Sequence, residues 1–274
     1  MSISTGTGDL VYEGKGITSK QNIKVRLSKR HLGHGIVFRI PDRKSSDGTG
    51  HVDIPAVSDY VVNTLRNVTL GIGANRLCLV EHILCAVALW GIEDVFIEVD
   101  GPEIPLGDGS ALFWLDLLES AGWEKNLPPC DHELKEPIFL KKGDRILIAL
   151  PDEQFSVNYM MDWNHPLIGK VWQSWSAAQD PHLIGDARTF GSLQEHAMLG
   201  ITEESVSLTA DGFSKELRWS DEPVRHKLLD LVGDLVLAGI NPLRWKARFI
   251  SIKGGHEMDV EMAKRLAASE KRVG

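Results

Sequence analysis

The stretch NRLCLVEHILCAVALWG, residues 75–91, decides how the chain folds. From Leu77 to Trp90 it is apolar except for one acid and one imidazole, Glu81 and His82. The run is too long and unbroken for a typical strand, and its spacing predicts a buried helix over 77–90, stopped by Gly91. A carboxylate inside such a helix costs several kcal/mol unless something compensates it. Either another part of the chain supplies a partner, or the pair carries chemistry.

Around this segment the sequence reads as short strands and turns. NIKVRLSKR (22–30) alternates apolar and polar, and GIVFRI (35–40) is a second strand. PDRKSSDGTG (41–50) is a loop, and residues 52–71 read as further strand. DVFIEVD (94–100) alternates again, and GPEIPLGDGSA (101–111) is turn chemistry. Ser110 is placed to cap a helix over ALFWLDLLESAG that Gly122 ends. The polar, proline-bearing EKNLPPCDHELKEP (124–137) marks the domain boundary near 127–131, giving domains 1–127 and 128–274. After it come the strands ILIALP and FSVNYMMDW, the short helix GSLQEHAMLG and the strand SVSL. The helix SDEPVRHKLLDLVGDLVLAG follows, then the strand RWKARFISIKGG and a final amphipathic helix. Strands then helices, twice over, predict an α+β protein of two similar domains.

Composition narrows the class. The 274 residues are 43% hydrophobic and 25% charged, which is ordinary for a globular protein. A formal charge of −8 with Lys and Arg spread along the chain argues against nucleic acid, while leaving room for a local phosphate site. The three cysteines, Cys78, Cys85 and Cys130, show no CxxC or Cys-His spacing, which argues against disulfides and a Cys-zinc site. The first residues lack an apolar signal core, and the longest apolar run falls short of the roughly 20 residues of a membrane span. The expected setting is the reducing cytoplasm, without membrane anchoring.

In residues 220–239 a helical turn of about 100° per residue puts Val224, Leu228, Leu231 and Leu235 on one stripe. His226, Asp230 and Asp234 share another face, flanked by Leu229 and Leu237, which predicts a partly buried polar cleft. His-x-x-x-Asp can hold one metal ion, because one turn aligns both donors. Taken singly, that pair also reads as a surface contact, His82 as a satisfied core histidine and His256 (in KGGHEMD) as a loop histidine. One site accommodates them together: three ligands, an open position, and spare groups for a base and an oxyanion donor.

At these residues the chain closely resembles the UDP-3-O-acyl-N-acetylglucosamine deacetylases, zinc amidases that commit Gram-negative bacteria to lipid A synthesis. The resemblance rests on VEHILCAVALWGIEDVFIEVDGPEIPLGDGSA (80–111), MDWNHPLIG (161–169), DARTFG (186–191), VRHKLLDLVGDL (224–235) and KGGH (253–256), colinear over roughly Val11 to Leu266. It implies two domains, each a β-sheet packed on two helices, with the helix layers facing each other. It implies His82, His226 and Asp230 as zinc ligands, with Fe2+ able to compete at such a site. Glu81 would be the general base, His256 the cation at the oxyanion or leaving amine, and Asp234 the group orienting His256. Thr189 would donate to the tetrahedral intermediate. Lys227 and Lys253 would meet the diphosphate, and Phe190, Trp163 and His165 would line the nucleotide and sugar region. The implied partner is an acylated UDP-N-acetylglucosamine, bound by a monomer.

The resemblance has departures. Thr18 in GKGIT stands where the family has a histidine, and Arg66 and Asn67 stand in its Leu-Cys-Thr strand. A Gly-Gly-Ser-Leu-Asp-Asn-like stretch is shortened across LGITEESVSL (199–208), and Asp259 replaces an asparagine. These positions keep open a zinc amidase acting on another N-acylated sugar or lipid. A non-catalytic binding module would have lost at least one catalytic group, and none is lost here.

Overall fold

The computed structural model of the protein describes residues 3–4, 8–45, 49–200 and 205–270. Parts of the N-terminal segment, of the 41–50 loop and of the departing stretch at 199–208 therefore lie outside the described residues. In chain order the first half holds β1 (Ile3–Ser4), β2 (Leu10–Lys15), β3 (Asn22–Lys29), β4 (Ile36–Pro41), β5 (His51–Pro55), β6 (Val61–Asn63), β7 (Thr69–Ile72) and β8 (Asn75–Cys78). α1 (Glu81–Trp90), β9 (Val95–Val99) and α2 (Leu112–Ser120) complete it. The second half holds β10 (His132–Glu133), β11 (Ile138–Lys142), β12 (Arg145–Pro151), β13 (Ser156–Trp163), β14 (Gly169–Ser176), α3 (His182–Gly185), β15 (Phe190–Ser192), α4 (Leu193–Leu199) and β16 (Val206–Leu208). α5 (Glu222–Leu235), β17 (Trp245–Ile252) and α6 (His256–Glu270) follow.

The two large sheets repeat one topology. In the first the order is β1-β2-β3-β9-β4-β5, and in the second β11-β12-β17-β13-β14, with β10 beside β17. In both, the late strand (β9 or β17) slots between two early hairpins, parallel to one neighbour and antiparallel to the other. In both, a long helix (α1 or α5) leads into that strand and another (α2 or α6) follows it, the second half adding the short α3 and α4 before α5. The shared topology matches the expected pair of similar α+β layers, although the halves show no obvious residue-level repeat.

Burial follows the period of each element. Ile23, Val25 and Leu27 of β3 and Val95, Ile97 and Val99 of β9 point inward, while their neighbours are more exposed. α1 is buried from Glu81 to Leu89, packed chiefly against α5 and also against α2. The helix is shorter than its apolar run: Leu77 and Cys78 belong to β8, and Leu79 sits at φ 62°, breaking the run before Glu81. A fully buried strand is as uniformly apolar as a buried helix, so the pattern alone could not separate them. Ser110 is not the cap of α2. Ala111 is, and the Ser110 hydroxyl donates to Asp108 Oδ1 at 2.7 Å. Pro223 does open α5, and Gly239 (φ 82°) closes the 3-10 turn that continues it.

α1 and α5 meet backbone to backbone. A Cβ built on Gly233 would lie 2.2 Å from the carbonyl oxygen of Glu81 and 3.3 Å from Cys85 Cβ. This approach joins the helix layers of the two halves.

Candidate active site

Three ligand-type side chains converge where α1 begins beside α5. His82 comes from the first half, and His226 and Asp230, one turn apart, from the second. One ligand atom from each lies within 4.8 Å of the other two, and all three residues are buried. Asp230 Oδ1 is 3.4 Å from His226 Nε2 and 3.8 Å from His82 Nε2, and the two rings stand 5.0 Å apart, nearly edge to face. His226 Nδ1 is 3.0 Å from the carbonyl of Ala187. A carbonyl only accepts, so Nδ1 carries the proton and Nε2 presents its lone pair to the cluster. Burial, then the neighbouring imidazole, pushes His82 down to about 3, and burial also lowers His226, so both rings are neutral. Burial opposes charge on Asp230, but His226, Lys227 and His256 hold its carboxyl well below the usual range. Two neutral imidazoles and one carboxylate, with His82 Nδ1 buried and unpartnered, form a group of donors that could hold a metal ion.

The remaining groups stand around this triad. Glu81 opens α1 and is 2% exposed, and its Oε2 accepts from the Val68 amide at 3.0 Å. Burial, reinforced by Asp234 and Asp230 and opposed by His256, pushes Glu81 up to about 7. His256 opens α6, and its Nδ1 lies 2.7 Å from Asp234 Oδ2. Burial would lower it, but Asp234 and Asp230 prevail and raise it to about 10, so the ring is a cation at neutral pH. A base able to give up its proton near neutrality and a standing cation thus share one cleft with the triad. Thr189, Phe190, Trp163 and Lys227 line the same cleft, as do Ile17, Thr18 and Arg66 from the first half.

Lys227 has a further partner, and two other residues singled out in the sequence lie outside the cleft lining. Lys227 Nζ donates to Asp230 Oδ2 at 2.7 Å and lies 5.7 Å over the Phe190 ring, so it braces a triad carboxylate. Lys253, at φ 56°, pairs with Asp144 at 2.6 Å and Asp162 at 3.3 Å and is outside the cleft lining. His165 lines an adjoining shallow groove, which shares Trp163 with the cleft. Glu222, unmarked in the sequence reading, accepts from the Arg188 amide and guanidinium and from the Arg218 amide at 2.7–3.0 Å. It thereby fixes the backbone that carries Ala187, Thr189 and Phe190. Its position at the start of α5 was visible, but partners 34 residues away were not. α4 stands over the cleft, capped by Ser192 and tied to the first half by Arg66–Glu195 at 3.2 Å.

Asp259 lies one turn beyond His256, fully buried, with neither carboxylate oxygen partnered. Burial and the charge of Asp234 push it up to about 8, so at pH 7 it is a neutral acid close in shape to an asparagine. Asp259→Asn is therefore expected to leave kcat/KM at pH 7 within about threefold, a change typical of an isosteric swap. A loss of a hundredfold at that pH would mean that the ionised form matters.

A protein-family model described as UDP-3-O-acyl N-acetylglycosamine deacetylase matches residues 4–268. A Leptospira biflexa protein named UDP-3-O-acyl-N-acetylglucosamine deacetylase is 36% identical over 272 residues, covering 93% of this chain and 86% of its own. Proteins of the same name from Nostoc sp. and Chlamydia pneumoniae are 34% and 30% identical, with 94% and 93% of this chain covered and 96% and 93% of theirs.

Proposed function

The chain belongs to the UDP-3-O-acyl-N-acetylglucosamine deacetylase family, and from that premise we propose that it removes the N-acetyl group of UDP-3-O-acyl-N-acetylglucosamine, releasing acetate and a free amine. The observation that carries this reading is the gathering of His82, His226 and Asp230 beside Glu81 and the His256–Asp234 pair in one cleft between the halves. His82, His226 and Asp230 would hold the cation, which we take to be zinc, with Fe2+ as a competitor. Bound there, it supplies Lewis acidity and lowers the pKa of coordinated water.

The chain's own groups do the rest. Glu81, with Oε2 engaged by Val68, accepts the proton of the attacking water on Oε1. His256 is held protonated by Asp234, so its Nε2–H faces the charge that develops on the carbonyl oxygen and then the departing amine. Thr189 donates to the same oxygen. Phe190 and Trp163, with ring centroids 5.1 Å apart, form the wall for the sugar and nucleotide, and Lys227 and His165 flank it. Lys253, paired with Asp144 and Asp162, would meet the diphosphate together with Lys227. Among the described residues no helix is long and apolar enough to cross a membrane. Cytoplasmic location, a monomeric state, the lipid A pathway and domains at 1–127 and 128–274 complete the reading.

Metal analysis of purified protein, with an acetate-release assay on the acylated UDP-sugar, tests it. The expected result is about one divalent cation per chain and metal-dependent turnover, abolished by a chelator and restored by Zn2+. Release of acetate only from another N-acylated sugar would move the substrate, and no release from any amide would overturn the reading.

The rate should rise as Glu81 loses its proton near 7 and fall as His256 loses its own near 10, with a bound cation moving both limbs to lower pH. Asp234 raises His256, so Asp234→Asn is expected to move the alkaline limb down by about 1–3 pH units. A pH–rate profile with that limb unmoved would remove Asp234 from this role.

A further inference from the structure

Glu103 lies in the GPEIP turn, 0% exposed, outside the cleft lining and unused by the chemistry above. A buried carboxylate needs compensation, and this one finds it in a single loop. Oε2 accepts from the Thr18 amide at 3.0 Å and the Thr18 hydroxyl at 2.7 Å, and Oε1 accepts from the Ser19 amide at 2.7 Å. The loop closes on itself through Gly16 N–H to Gln21 O at 2.8 Å, and a Cβ on Gly16 would sit 2.4 Å from Glu103 Oε1. The chain therefore wraps the carboxylate with no side chain between them at that point.

The loop has two further attachments, and the Glu103 turn has one of its own. Ile17 packs with Leu106 and Leu79 in a small apolar cluster separate from the main core. Lys20, at φ 59°, donates from Nζ to the carbonyl of Gly200 at 2.8 Å, at the end of α4. The backbone around Glu103 is tied to Cys78, three residues before Glu81, by bonds of 3.0 and 2.9 Å. Glu103 thus links the start of the catalytic helix to Ile17 and Thr18, which line the cleft. Thr18 thus lines the cleft while its hydroxyl is engaged by Glu103.

We propose that Glu103 is a positioning residue: it seats the 16–20 loop as the first-half wall of the cleft, so that substrate binding depends on it while the chemical step does not. This assignment rests on the deacetylase reading. The test uses the full-length, zinc-loaded enzyme with acylated UDP-N-acetylglucosamine. Glu103→Gln keeps the volume but sets an amide donor against loop donors, and it is expected to raise KM about tenfold with kcat within about threefold. Amide exchange at Thr18 and Ser19 should quicken at least about tenfold while amides in the middle of α1 stay unchanged. Thr18→Val, which exchanges the hydroxyl for a methyl and so deletes one donor to Glu103, should raise KM by about threefold. Unchanged KM and exchange, or a fall in kcat with KM unchanged, would overturn the assignment. If Glu103→Gln does not fold, Thr18→Val decides alone, and an unaltered KM sinks the proposal. Native enzyme that leaves the substrate intact refutes the deacetylase reading, whereas native turnover with unaffected variants refutes only the role of Glu103.

Discussion

Glu81→Gln is expected to lower kcat by about 10²–10⁴-fold, the range for losing a positioned general base, with metal content unchanged. Gln keeps the shape and the acceptor facing Val68, so the α1 terminus and His82 stay in place. What disappears is the site that takes a proton. A stability measurement separates this from general damage. Glu81 is raised from 4.5 to about 7 in the folded protein, so the unfolded chain releases this proton first as pH rises. The stability Glu81 contributes is complete below about 4.5 and lost as pH climbs through about 7. The metal-free Gln variant, uncharged throughout, should therefore show a higher Tm than the native chain at pH 8 and little gain at pH 4. Full activity in the variant, or metal loss alongside the rate, would take Glu81 out of the base role.

The second large effect is expected at a residue with no chemistry of its own. Gly233→Ala places a methyl 2.2 Å from the carbonyl oxygen of Glu81. Backbone cannot give way as a flexible side chain does, so α5 must move from α1. That motion pulls Asp230 and His226 away from His82, since the triad spans the same seam. Overpacking alone should cost about 1–3 kcal/mol of stability. Misplacement of the reacting groups by about an ångström should cost on the order of 10²-fold in kcat/KM. Zinc affinity measured by competition with a chromophoric chelator should fall as well. A variant with native metal affinity and native rate would show that the helices do not need this approach.

The sequence disclosed the parts of the site that obey a local period. His226, Asp230 and Asp234 declare themselves because four-residue spacing on a helix is visible without any partner. Glu81 and His82 are conspicuous as polar residues in an apolar run, but joining them to α5 rests on the economy of a single shared site and on the resemblance, because no periodicity links residues so far apart. The helix start was misplaced by four residues, since Leu77 and Cys78 are as apolar in a buried strand as in a helix. Glu103 was invisible for the reason that makes it useful: its donors lie 84 and 85 residues earlier. Lys253 looked available because the sequence does not show that Asp144 and Asp162 stand around it. The seam at Gly233 shows up only once both helices are laid together.

The division of the triad between the halves has a consequence for how the protein is made. A chain emerging from the ribosome can finish its first sheet, α1 and α2 with His82 in place, and still hold a single imidazole of the three donors. Cation capture is therefore expected to wait until α5 has been synthesised and docked. A polypeptide stalled short of residue 226 should retain no zinc, however well its first half has folded.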